Sequence, residues 1–251
     1  METLFIGQNA IYLLQTESTN SYAIQLLKNV NPPEGTVVYT ANQTHGRGQR
    51  GNSWDALPGL NIALSYILKP TFLNANKLFY LYIISALSVH DLMAELLDPS
   101  QFDIKIKWPN DILVNSKKIA GILNENAISN TTVNSSIIGI GININQTDFS
   151  ESINATSLKI LTKRESKPEH VLKLLNRHFE NYYLKLKNGN FDSLLKAYYN
   201  NFYKRDEITD FNINKQSKKL LVKGINDQGL LHLKDSSDKD YFYDIKEVKW
   251  N

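Results

Sequence analysis

The residues best suited to chemistry crowd into positions 40–54, TANQTHGRGQRGNSW. Three glycines (Gly46, Gly48, Gly51), two arginines (Arg47, Arg50), the amide of Gln43 and the indole of Trp54 fall within one loop-length segment. Glycine lets a backbone come close to a ligand. Successive amides can form an anion-binding concavity, and guanidinium groups donate in pairs to phosphate or carboxylate. The segment therefore reads as a loop that grips an anionic, phosphate-bearing ligand. Its plainer reading is a basic surface loop. It is neither a G-x-x-x-x-G-K-[ST] phosphate loop nor a G-x-G-x-x-G turn opening a helix.

A second group of polar residues lies in KIKWPNDILVNSKKIAGILNE, 105–125, and a third in GIGININ, 139–145. Lys107, Asn110 and Asp111 flank the apolar hinge of Trp108 and Pro109. Asn110 and Asp111 read either as ligand groups or as a plain Asx-turn. Lys117 and Lys118 are adjacent, so strand periodicity sends them to opposite faces and only one can enter a site. Glycines alternating with isoleucine in the third stretch permit close approach of a ligand or another backbone.

Taken in order, Ser18-Thr19-Asn20, GRG-x-RG (46–51), KWPND (107–111), KIAGILNE (118–125) and GIGIN (139–143) resemble the motifs of biotin protein ligases. The resemblance runs over nearly the whole chain, from Tyr12 onward. It implies an α+β fold, a mixed-sheet catalytic domain of the biotin/lipoate ligase type with helices on one face, over 1–203. A small SH3-like β-barrel follows over 204–251. It implies an enzyme that joins biotin to ATP as biotinyl-5′-AMP, with Mg²⁺, and passes biotin to a lysine of a biotin carboxyl carrier domain of a carboxylase. A lipoate-type acyl-adenylate ligase is the alternative within the same fold.

The resemblance also assigns residues. Ser18, Thr19, Asn20, Gln43, Gly46, Arg47, Gly48, Gln49, Lys118 and Gly121 would face biotin. Arg47, Arg50, Trp54, Lys107, Asn110, Asp111 and Asn143 would face ATP or the adenylate, with the metal near Asp111. Lys118, aided by Arg47, would bridge the biotin carboxylate and the α-phosphate as they approach. Trp54 suits stacking on adenine, though a core position serves it equally well. The family loop commonly carries a basic residue where this chain has Gln49, and several relatives have arginine where it has Asn52. Loss of that charge shifts adenylate retention toward Arg47 and Lys118.

The rest of the chain must position these groups. Strands are expected at 11–14, 36–41, 60–68, 104–108, 112–114, 118–124 and 136–144, and helices at 23–30, 76–97, 168–186 and 191–203. Short apolar runs separated by NDQG and SSDKD read as an all-β unit from Asp206 onward. Ser18, Thr19 and Asn20 would also cap the first helix. His90, alone on the long helix, reads as structural. Of 251 residues 42% are hydrophobic, enough for a core, and none is cysteine, which excludes disulfides and thiolate chemistry. No apolar run suits a bilayer, and the start lacks a signal peptide's basic head, so a cytoplasmic protein is expected. The charge of +3 is dispersed. Many relatives carry an N-terminal winged helix ahead of the S-T-N motif; with that motif at Ser18, no DNA binding is expected. A homodimer is left open.

Overall fold

The computed structural model describes residues 3–150 and 153–250, with Arg50 by its backbone alone. Twelve strands and five α-helices follow one another along the described chain, with short 3-10 turns at Gln49–Gly51 and Ala75–Lys77. The strands are β1 (Ala10–Tyr12), β2 (Thr36–Thr40), β3 (Ile62–Leu68), β4 (Ile104–Lys107), β5 (Asp111–Val114), β6 (Lys117–Ser129), β7 (Thr132–Ile142), β8 (Ile208–Ile213), β9 (Gln216–Ile225), β10 (Leu231–Lys234), β11 (Asp240–Tyr243) and β12 (Val248–Trp250). The helices are α1 (Thr19–Asn29), α2 (Phe79–Leu96), α3 (Leu158–Thr162), α4 (Pro168–Lys187) and α5 (Phe191–Asn200).

β1 to β7 form one sheet in the order β1-β2-β3-β7-β6-β5-β4. Every pair is antiparallel except β1 with β2, so the sheet is mixed as expected. Period-two alternation sorts its side chains into two faces. Leu64, Tyr66 and Leu68 of β3 and Ile138, Ile140 and Ile142 of β7 enter the main core beneath α2 and α4. Ala23 of α1 packs with Val38, Ile67 and Ile137 on the opposite face. The helices thus sit mainly on one face, and α1 is the exception. That placement puts the N-terminus of α1 on the face that carries Gly121, Gly139 and Gly141.

α2 is apolar nearly all round because it is sandwiched, the pattern of a core helix. Residues 75–96 are long and apolar enough to cross a membrane, yet Leu81, Ile84, Leu87 and Leu92 are fully buried in the main core. α4 is amphipathic and starts on Pro168, a residue suited to the first helical turn.

β8 to β12 make a second, antiparallel sheet in the order β11-β10-β9-β8-β12, consistent with the small barrel expected there. ITDFNI of β8 alternates strictly between exposed and buried. Trp108 anchors this unit to the first: its indole Nε1 donates to Gly229 O at 2.9 Å. Trp250 returns the contact, donating from Nε1 to Trp108 O at 3.2 Å.

Candidate active site

The glycine face of the large sheet opens into a cavity of about 440 Å³. Its floor is a row of paired residues crossing five strands: Lys107 opposite Asp111, Asp111 opposite Gly121, Gly121 opposite Gly141, and Gly141 opposite Ala63. Small residues in the middle of that row leave room, while its β4 end is charged. A Cβ on Gly141 would come within 2.4 Å of the Trp54 indole, which lies directly on the floor. The Trp54 Nε1 is buried with no partner.

Lys118 joins the charged end through an irregularity in register. Pairing of β5 with β6 shifts between Ile112 and Leu113, so Ile112 faces Ala120 while Leu113 faces Lys118. Simple alternation would put Lys118 and Gly121 on opposite faces; the shift brings them together, as bulges do. The Lys118 ammonium stands 2.7 Å from Asp111 Oδ1, a charge contact outside hydrogen-bond geometry, and 5.4 Å from the Trp54 ring centre. Lys117 is exposed and does not line the cavity. Burial holds the Lys107 ammonium below the ordinary lysine range; Asp111 opposes that drop, while Lys118 and Lys204 add to it.

At the far end, the strand-to-helix corner supplies short polar groups. Ser18 caps α1, accepting from Ser21 N. Gln43 Oε1 accepts from Thr19 N at 2.9 Å. Ser65, the one small polar residue in the run IALSYIL, donates to Asn20 Oδ1 at 2.5 Å and lies 2.8 Å from Thr19 Oγ1. Asn20 Nδ2 donates to Leu123 O at 3.2 Å and to Glu125 Oε2 at 2.8 Å.

The glycine loop folds back on itself over this floor. Gly48 N donates to Asn52 O at 2.7 Å and Trp54 N to Gly46 O at 2.9 Å, with Arg47 bridged to Ser53. Gly46 is required by proximity, since a Cβ there would meet Trp54 O at 2.2 Å, and Gly51 by its φ of +86°. Arg47 lines the cavity, but its guanidinium is held by Glu125 and by Ser21 Oγ. Gln49 is nearly buried, its Oε1 without a partner.

Of the residues expected at the site, Ser18, Thr19, Asn20, Gln43, Arg47, Gly48, Gln49, Trp54, Lys107, Asn110, Asp111, Lys118 and Gly121 meet in this cavity. Gly46 lies on an adjoining one that shares the loop. The Arg50 side chain lies outside the described residues. Asn143 is placed elsewhere: it is buried beyond the cavity lining, and its Nδ2 donates to Thr156 O at 3.0 Å, tying the end of β7 to the segment before α3. Asn110 spends its amide donor on Ile122 O at 2.9 Å, so it braces the turn as well as lining the cavity.

Four cavity residues come from the C-terminal unit: Ile245 in the turn before β12, and Val248, Lys249 and Trp250 on β12. Lys107 Nζ lies 5.6 Å from the Trp250 ring centre. No pattern in the sequence pointed to them, because their approach depends on how the two sheets pack. Ser65 and Glu125 did leave a signal. The first interrupts an apolar strand, and the second continues the alternation Gly121, Leu123, Glu125 on the site face.

Comparison with known proteins shows the family of the chain. The model of the Biotin/lipoate A/B protein ligase family matches residues 12–143. The chain belongs to that family. The "Bifunctional ligase/repressor BirA" of Bacillus subtilis is 35% identical over 190 residues, 72% of this chain and 57% of that protein. The "Biotin--[acetyl-CoA-carboxylase] ligase" of Paracoccus denitrificans is 35% identical over 132 residues, 53% of each. The chain thus spans somewhat over half the length of these relatives. A biotin protein ligase from Aquifex aeolicus, solved with biotin and ATP, superimposes with a TM-score of 0.79 at 25% identity, covering 97% of this chain and 99% of that one.

Proposed function

We propose that the protein is a biotin–protein ligase. It activates biotin with ATP to biotinyl-5′-AMP and transfers biotin to a lysine of a biotin carboxyl carrier domain in a carboxylase. The observation that carries this reading is the pairing of opposite chemistries at the two ends of one glycine floor. Thr19, Asn20, Gln43 and Ser65 offer donors and acceptors at one end, and Lys107, Asp111 and Lys118 offer charge at the other. A fused ureido ring carries a carbonyl and two N–H groups that match such a corner. A dithiolane ring would leave those polar groups unpaired at the cost of their desolvation, which favours biotin over lipoate. The relatives named for biotin ligation point the same way.

In the first step a biotin carboxylate oxygen bonds to the α-phosphorus and the bond to pyrophosphate breaks. Two anions must approach at the charged end of the floor, where the Lys118 ammonium offsets their repulsion. Asp111, 2.7 Å away, aims that ammonium. Lys107, whose charge is held at a cost by burial, meets the phosphates. In the second step an acceptor ε-amine attacks the anhydride carbonyl and AMP leaves. The floor and loop hold the adenylate in reach, a matter of positioning rather than of a covalent enzyme intermediate. Mg²⁺ fits as a companion of ATP. Asp111 is the one carboxylate on the described cavity lining, and magnesium characteristically uses one or two protein carboxylates plus substrate phosphates. ATP as co-substrate fits a cytoplasmic setting.

The test is direct. Purified protein is incubated with α-labelled ATP and either biotin or lipoate. Acyl-adenylate with biotin alone is the expected result; adenylate with lipoate alone would reverse the assignment.

A further inference from the structure

Glu125 lies outside the motif residues assigned to either substrate, yet its carboxylate joins the two halves of the site. Oε2 accepts from Asn20 Nδ2 at 2.8 Å, and Oε1 pairs with the Arg47 guanidinium. Arg47 is held from its other side by Ser21 Oγ at 3.1 Å. One carboxylate thus touches both the corner that opens α1 and the glycine loop.

The Asn20 contact settles the sense of an amide. Both acceptors around Nδ2, the Glu125 carboxylate and Leu123 O, reject a carbonyl oxygen, while Ser65 donates to Oδ1 from the other side. An inverted amide would set oxygen against a full negative charge. Asn20 therefore turns its acceptor toward the glycine floor, where a Cβ on Gly139 would lie 2.3 Å from Oδ1. With both amide hydrogens already engaged, Asn20 offers a ligand an acceptor, the group a ureido N–H needs. The same charge holds Arg47, and through it the loop, against the body of the sheet.

We propose that Glu125 is a positioning residue: it fixes the Asn20 amide so that its oxygen receives biotin's ring N–H, and it tethers the glycine loop through Arg47. The proposal rests on the biotin-activating reading above. It makes ring recognition and loop order share one carboxylate, so that disturbing Glu125 disturbs both.

The experiment uses the full chain and three variants, Glu125→Ala, Glu125→Gln and Asn20→Ala, together with the double variant of Glu125→Ala and Asn20→Ala. Pyrophosphate release is measured against biotin and ATP, with melting temperature and the rate of tryptic cleavage after Arg47 in ligand-free protein. Glu125→Ala should raise the biotin KM about tenfold, the size of a charge-assisted hydrogen bond lost, with kcat changed far less. Glu125→Gln keeps an acceptor for Asn20 but no charge for Arg47. It should restore most of the biotin KM while loop cleavage stays several-fold faster than in the unaltered protein. The double variant should be no worse than Asn20→Ala alone, since the two residues act as a unit. An unchanged biotin KM in Glu125→Ala, or losses that simply add, would overturn the Asn20 role; unchanged cleavage would overturn the tether. Absence of biotinyl-adenylate from the unaltered protein would instead refute the activity, and the cleavage rates would still decide the tether.

Discussion

At the scale of single residues, the charges at the β4 end of the floor divide the labour and differ in what they cost the fold. Lys118 lines the cavity beside Asp111, and Lys117 does not. Lys118→Ala should lower the rate of adenylate formation by two to three orders of magnitude, roughly 2.7–4 kcal/mol of transition-state stabilisation. Lys117→Ala should leave it near normal. Pyrophosphate release by the two variants checks this, and the reverse pattern would mean that the other lysine reaches the phosphates. Lys107 makes a second case. Burial lowers its pKa, so its charged form is disfavoured in the folded state. The unfolded chain then binds more protons between the lowered folded pKa and the ordinary lysine value. Stability should rise with pH across that window, and below it the charged lysine is a standing burden. Lys107→Met should therefore raise the melting temperature at neutral pH and flatten its alkaline rise, while the KM for ATP increases. A variant that melts lower and binds ATP normally would contradict both halves.

The elements matter through how closely they approach. α1 meets the sheet at Gly139 because nothing but hydrogen occupies the space beside Asn20. A methyl there cannot be relieved by moving the far end of a flexible chain, since Asn20 is pinned by Ser65, Leu123 and Glu125. Gly139→Ala should displace Asn20 and raise the biotin KM by about tenfold or more, the worth of one well-placed hydrogen bond to a charged network. The KM for ATP, whose proposed place is the other end of the floor, should change little. Steady-state kinetics in each substrate separates the two, and equal shifts in both would show that the strand, rather than Asn20, has moved.

The whole molecule is closed at its start by a buried carboxylate. Glu180 of α4 accepts from Leu4 N at 2.7 Å, Phe5 N at 2.8 Å and Ile6 N at 3.0 Å, and the Ile6 side chain is fully buried behind it. Three backbone donors lose their partner if the carboxylate goes. Glu180→Ala should cost about 3 kcal/mol, in line with hydrogen bonds to a charged group, with the cavity intact. Urea unfolding measures the loss, and an unchanged midpoint would show that the N-terminal segment contributes nothing to stability. At the other end of the chain, Trp250 and Lys249 complete the cavity from the second sheet, so the two units meet at the site.

Much of this was legible in residue order alone. TVVYT and LNIALSYIL announce β2 and β3 by β-branched and apolar content, Ser18 announces the cap of α1, and Pro168 opens α4. The ordered motifs picked out most of the cavity because short segments carry their chemistry with them. What failed to show in sequence depended on distance and register. The strands expected at 118–124 and 136–144 leave the polar stretch between them unassigned, yet β6 and β7 extend through most of it as one long hairpin, where pairing with the neighbouring strand overrides weak local preference. Lys118 shares a face with Gly121 only through a register shift that periodicity cannot foresee. Asn143 sits in a glycine motif but turns its amide to Thr156, a partner brought by the tertiary fold. Glu125 and Asn20 are 105 positions apart. The sequence by itself determined which side chains could do the chemistry; packing of α1, the glycine loop and the second sheet on one face decided which of them meet.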